Sequence, residues 1–244
     1  MEREKNNEWR QLSNILFLDI ETVSCKEEYK MLDPRIMAQW DRKATFLPNE
    51  AALTNDELFF NRAGIYAEFG KIVAIAVGYF HKNSANEIIL RVKSFYAHDE
   101  KELLTDFVNL LDHFENDVKL CAHNGKEFDF PYLCRRLLIN SIKLPGVLDL
   151  SGKKPWEVNH LDTMNMWKFG DWKNYTSLDL MAAVLNVESS KQDMDGSMVN
   201  HAYYKEDGLE RISEYCQRDV AVTARVYLKL QGMEDIPTSN VIFV

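Results

Sequence analysis

The sequence predicts an α/β fold on a mixed central sheet. Three observations carry this. Residues 15–18 (Ile-Leu-Phe-Leu) form an apolar run too short for a typical helix, which suits a strand buried on both faces. Residues 71–80 (KIVAIAVGYF) are β-branched and apolar, and turn chemistry at 81–86 separates them from an alternating stretch at 88–96. Apolar residues at helical spacing recur at 99–114 and 209–230.

Taken in order, the first strand ends in Asp19-Ile20-Glu21. Side chains two apart on a strand share a face, so both acids project together from its end. Two carboxylates at close range repel, and one is driven toward protonation unless a divalent cation lies between them. The plainer reading of such a pair is a strand reaching solvent. Residues 24–69 show no strand pattern and read as a helical insertion. Asp33-Pro34 opens one helix with proline in its first turn, and Thr54-Asn55-Asp56-Glu57 is a capping-box pattern before Leu58.

Residues 71–80 and 88–96 then give two more strands adjacent to the first. The helix over 99–114 places Leu103, Leu104, Phe107, Leu110, Leu111 and Phe114 on one face. A short strand at 118–122 is broken by His123-Asn124-Gly125, and 128–138 is the next helix, with Pro131 in its first turn. Residues 142–158 are irregular, 161–167 read as a short strand or a turn, and 177–185 as a helix. A polar loop at 188–196, the long helix over 209–230 and a tail at 235–244 complete the chain. No linker divides it, so one domain over 1–244, with its core at about 14–230, is expected.

Composition excludes several classes. With 46% hydrophobic and 11% aromatic residues the 244-residue chain is globular rather than disordered. No apolar run approaches the ~20 residues that span a bilayer, and residues 1–10 are polar and lack the apolar core of a signal peptide. Cys25, Cys121, Cys134 and Cys216 form no C-x-x-C pair, against a zinc site or a disulfide framework. A soluble, cytoplasmic protein with reduced thiols and no membrane contact is expected. The formal charge of −9 lacks the basic surface of a salt-driven nucleic-acid binder, and leaves room for an enzyme that grips a few nucleotides.

Two further stretches join the first acid pair. Asn124-Gly125-Lys126-Glu127-Phe128-Asp129 is a strand end leading into a helix whose first turn carries an acid, where the helix N-terminus is positive. Tyr215-Cys216-Gln217-Arg218-Asp219 lies on the last helix, with Tyr215 and Asp219 on one face. Each has an ordinary structural reading alone: a helix-start acid, a core aromatic, a surface acid.

Together, acid-x-acid, Asn-x3-Phe-Asp and Tyr-x3-Asp in this order resemble the DEDD superfamily of 3′–5′ exonucleases, in the branch with tyrosine in the third motif (DEDDy). The other branch carries a histidine five residues before the last aspartate, where this chain has Glu214. More closely, the chain is similar to free-standing predicted exonucleases related to the proofreading domains of B-family DNA polymerases. Phe17 to Thr22, Glu68 to Val73, Ala122 to Gly125, Asp193 to Ser197 and Tyr215 to Val220 support this, over roughly 15–230.

The resemblance implies a ribonuclease-H-like fold, its first three strands largely antiparallel and helices on both faces of the sheet. It implies a metal-dependent nuclease that shortens single-stranded DNA from its 3′ end by a two-metal-ion mechanism. Asp19, Glu21, Asp129 and Asp219 would hold two divalent cations, Mg2+ or Mn2+, and Tyr215 would orient the attacking water. Thr22, Asn124, Phe128 and Lys191 are the expected substrate contacts. An RNA 3′ end, or an inactive nucleic-acid-binding scaffold on the same fold, are the alternatives. Replication or repair proteins are the expected partners. Asp162 is expected to act as a structural hydrogen-bond acceptor and His123 as a packed or solvent-facing residue. Trp167, Trp172 and Tyr175 are expected to be mostly core.

Overall fold

Strand β1 (Ile15–Ser24) runs past the apolar run that predicts it, so Asp19 and Glu21 lie inside the strand rather than at its tip. The structure, a computed structural model, describes residues 9, 12–114, 118–171, 173, 175–189 and 194–244. Among these the sheet has six strands: β1, β2 (Gly70–Lys82), β3 (Ile88–Tyr96), β4 (Lys119–Ala122), β5 (Leu161–Asp162) and β6 (Val241–Phe243). Their order is β5-β4-β1-β2-β3-β6. The β1–β2 and β2–β3 pairs are antiparallel and the others parallel, the mixed sheet that was expected.

The helices are α1 (Pro34–Ala44), α2 (Asn55–Arg62), α3 (Glu100–Leu111), α4 (Asp129–Ile139), α5 (Thr163–Lys168), α6 (Leu178–Val184), α7 (Val199–Lys205) and α8 (Leu209–Leu230). Local chemistry explains their starts. Asp33 caps α1 and Asp99 caps α3, while Thr54 and Glu57 complete the capping box of α2. Three segments differ from expectation. Residues 163–168 form a helix, capped by Asp162 accepting from the Asn165 N–H. Residues 199–205 form another. Residues 235–244, expected to be a tail, include β6, which lies along β3.

Strand alternation sorts the core into two layers. Ile15 and Phe17 face α8, where Phe17 meets Tyr227 edge-on at 5.5 Å. Leu16, Leu18 and Ile20 face the opposite side, against α3 and α4. Helices therefore cover both faces. Gly78 lets α8 approach, because a Cβ there would stand 2.8 Å from Val220 Cγ1. A separate apolar cluster, centred on Trp40 and Phe59, holds the α1–α2 insertion together.

A buried polar clamp joins the second layer. Glu100 accepts from the backbone of Ile72 at 2.7 Å and from Arg136 Nε at 2.8 Å, and Arg136 also donates to the Ala67 carbonyl at 2.8 Å. α3, α4 and β2 are thus fixed relative to one another. The helix that carries Asp129 is held by this clamp.

Candidate active site

Asp19 and Glu21 continue the face of β1 that carries Ile15 and Phe17, so both side chains point toward α8. β4 accompanies β1 only as far as Phe17. Further along, the Asp129 carboxylate accepts a hydrogen bond from the backbone N–H of Ile20. The register of β1 against β2 shifts between Glu21 and Thr22, an irregularity of the kind that re-aims side chains beside functional sites.

Asp129 is aimed by a tight connection from β4 to α4. Asn124 adopts a left-handed conformation, φ 63°, and its carbonyl accepts from the N–H groups of Glu127 and Phe128 at 3.2 and 3.0 Å. Gly125 allows the reversal, because a Cβ there would lie 2.4 Å from that of Ala122. Asp162, buried, accepts from the backbone N–H groups of Asn124, Lys126 and Asn165 at 3.2, 3.0 and 3.0 Å. This is the structural role expected of it. His123 has both ring nitrogens engaged, with Thr163 Oγ1 and the Thr176 carbonyl, each at 2.9 Å.

Helix α8 supplies the remaining groups. The Tyr215 hydroxyl donates to the Asp219 carboxylate one turn further on. The Cys216 thiol donates to Asp19 Oδ2 at 3.3 Å. Asp19, Glu21 and Cys216 each place a donor atom within 4.8 Å of the other two. Cys216 is a site neighbour that the cysteine spacing does not mark. Its position three residues before Asp219 on one helix is the signal that could have found it.

The electrostatics follow from burial and like charge. Burial, then Glu21, Asp219 and Asp129, push Asp19 well above the usual carboxylate range. Burial, then Asp219 and Asp129, do the same to Glu21. Asp129 is raised to about 7, chiefly by burial, in spite of the Ile20 N–H that favours its charged form. Burial and the three acids Asp219, Glu21 and Asp19 keep the Tyr215 phenol protonated far above its ordinary range. The four acids expected from the sequence thus act on one another from three separate elements. Hard oxygen donors that suppress each other's ionisation are the donor set that a magnesium- or manganese-type cation relieves, so the residues present fit such an ion.

The expected substrate contacts fare differently. Thr22 Oγ1 donates to the Gly64 carbonyl at 2.8 Å. Phe128 is half-buried and its ring lies 5.3 Å from that of Tyr132. Asn124 Oδ1 is buried and has no hydrogen-bond partner. Lys191 and Trp172 lie outside the described residues. Trp167 packs beside α6 and α8 as expected, whereas Tyr175 is 70% exposed and is not core. Among the described residues no helix is long and apolar enough to cross a membrane.

Comparison with known proteins agrees with the geometry. The chain is 26% identical to DNA polymerase 1 of Pyrococcus abyssi over 208 residues, covering 74% of the chain and 26% of the polymerase. DNA polymerase 1 of the strain GE5 / Orsay matches to the same extent. The family B DNA polymerase from the hyperthermophilic archaeon Pyrobaculum calidifontis shares the fold, with a TM-score of 0.54 at 17% identity, over 88% of this chain and 24% of that one. The chain therefore spans about a quarter of the length of these polymerases. The fold is the ribonuclease-H-like one that the resemblance implied. A family model matches residues 65–240, which include Asp129, Tyr215 and Asp219. The chain belongs to the family of predicted 3′–5′ exonucleases related to the exonuclease domain of PolB.

Proposed function

We propose that the protein is a metal-dependent 3′–5′ exonuclease of the DEDDy type that removes nucleotides from the 3′ end of single-stranded DNA. The observation that carries this reading is that Asp129 from α4 and Asp219 from α8 both oppose the ionisation of Asp19 and of Glu21 on β1, so that acids from three elements act on one pair of carboxylates. We take residues 14–230 as the exonuclease core, residues 24–69 as an insertion and the whole of 1–244 as one domain. Four free cysteines suit a reducing, cytoplasmic setting.

Asp19, Glu21, Asp129 and Asp219 would hold two divalent cations, Mg2+ or Mn2+. When bound, the cations supply charge stabilisation at the attacking and leaving oxygens and acidify the attacking water. The chain's own groups do the positioning. The Tyr215 hydroxyl spends its proton on Asp219, which leaves its oxygen free to accept a hydrogen bond from the water and so orient it. Held protonated, the phenol is no base. The Ile20 N–H fixes the Asp129 carboxylate.

Thr22 Oγ1, its proton given to Gly64, would accept from the 3′-hydroxyl. Phe128 would pack on the terminal base and Asn124 would meet the adjacent sugar-phosphate. DNA is preferred to RNA because the relatives in hand are DNA polymerases. A gel of matched 5′-labelled single strands of DNA and RNA, with and without Mn2+, tests the reading. A one-nucleotide ladder shortening from the 3′ end of DNA, present only with the ion, is expected. A ladder on RNA alone moves the substrate to RNA, and no ladder on either contradicts the nuclease reading.

A further inference from the structure

Helix α5 ends in a turn that presents a bare aromatic ring. The Asp171 N–H donates to the Lys168 carbonyl at 2.7 Å, and the two residues between them have positive φ, 42° at Phe169 and 90° at Gly170. Two successive positive φ values across such a bond describe a type I′ turn, whose first central position goes to Asn, Asp or Gly because larger side chains are strained there. Phenylalanine is a poor residue for that corner. Nor does packing compensate, since Phe169 is 88% exposed. A strained backbone at a bulky, solvated residue is a reason to look for a ligand.

The same segment carries exposed Tyr175, and both its ends are tied to the second acidic motif. Lys168 Nζ lies 3.8 Å from Glu127 Oε1, two residues before Asp129. The Thr176 carbonyl accepts from His123 Nε2 at 2.9 Å, beside the Asn124 turn. Phe169 and Tyr175 thus each lie one residue from a contact with the connection that aims Asp129.

We propose that Phe169 and Tyr175 form a stacking platform for the unpaired bases that precede the terminal nucleotide of a single strand. The proposal rests on the exonuclease reading and adds a strand contact to it. A chain of net charge −9 has little salt-driven grip on a phosphate backbone, whereas stacking on aromatic faces is sequence-tolerant and needs no positive surface. Only unpaired bases offer both faces to such rings, so the platform selects single strands over duplex.

The test is fluorescence anisotropy of labelled oligothymidylates in EDTA, which prevents cleavage. The wild type should bind a probe of about ten nucleotides more tightly than a dinucleotide, and a F169N/Y175S variant should lose about tenfold in affinity for the longer probe. Asparagine suits the left-handed corner, so the loss is not one of folding. A F169W variant should keep the affinity. Length-dependent binding without a cleavage ladder would sink the nuclease reading and leave the platform. A ladder together with wild-type affinity in F169N/Y175S would sink the platform and leave the nuclease reading.

Discussion

The Tyr215 hydroxyl donates to the carboxylate of Asp219, one helical turn further along α8. Burial and the neighbouring acids, with a smaller share from this bond, keep the phenol protonated, so it does not act as a base. Tyr215→Phe removes the hydroxyl and leaves a buried ring of nearly the same volume. Turnover should fall roughly 10- to 100-fold, as for a misplaced reactant, while Mn2+ binding persists. Single-turnover kinetics beside a metal titration separate the two, and loss of metal binding in this variant would remove the orienting role.

Asp129 links function to stability. Its folded pKa, about 7, lies above its unfolded value, so the folded state holds the proton more tightly. Its contribution is favourable at low pH and is lost as pH rises from about 4 through about 7. Asp129→Asn removes that dependence, and its amide oxygen can still accept from Ile20. In EDTA the variant should melt above the wild type, with a gap that widens from about pH 5 to about pH 8 and corresponds to about 1–3 kcal/mol at the upper end. A gap that is constant with pH would show that Asp129 is not held protonated.

His160 works in the opposite direction. Its Nδ1 accepts from the Leu120 N–H at 3.3 Å and its Nε2–H donates to the Val147 carbonyl at 2.8 Å, so the ring is neutral. Burial lowers its pKa, as it does for His123. The folded state then binds fewer protons than the unfolded one, and stability present above about pH 6.5 is lost as pH falls below it. Protonation would also set an N–H against the Leu120 N–H. His160→Gln keeps a donor in the Nε2 position and should be less stable near neutrality yet lose less on acidification. Thermal melts of both proteins from about pH 7 to about pH 5 check this.

The Glu100–Arg136 clamp is a structural liability if halved. Arg136→Met strands a buried carboxylate and should cost about 3–5 kcal/mol in urea unfolding. The double variant with Glu100→Gln should recover part of that loss, because no uncompensated charge remains. Equal costs for single and double variants would show that the pair is not coupled.

Much of the frame is legible in the text of the chain because its signals are local. Thr54 and Glu57 announce a capping box, the alternation at 88–96 announces β3, and the 209–230 periodicity announces α8. What escapes depends on distant partners. Residues 163–168 are too few to show a helical period, and their helix rests on a cap from Asp162. β6 is three residues long and exists through its pairing with β3. Glu100 and Arg136 carry charges that ordinarily mark a solvent face, and only the fold reveals that they neutralise each other inside it.

The acid site lies between these cases. Asp19 and Glu21 share a face by strand alternation alone, and Tyr215 and Asp219 by helical spacing alone. That Asp129 joins them across more than a hundred residues of chain followed from the motif order of a family, not from any local rule. Cys216 went unmarked because its partner, Asp19, is 197 residues away.

Calorimetric titration of the metal-free protein with Mn2+, repeated on Asp19→Asn, bears most directly on whether the four acids form a cation site. Paired binding in the wild type, abolished or reduced to a single weak event in the variant, is the predicted result. Binding that is absent in the wild type, or unaltered in Asp19→Asn, would contradict it.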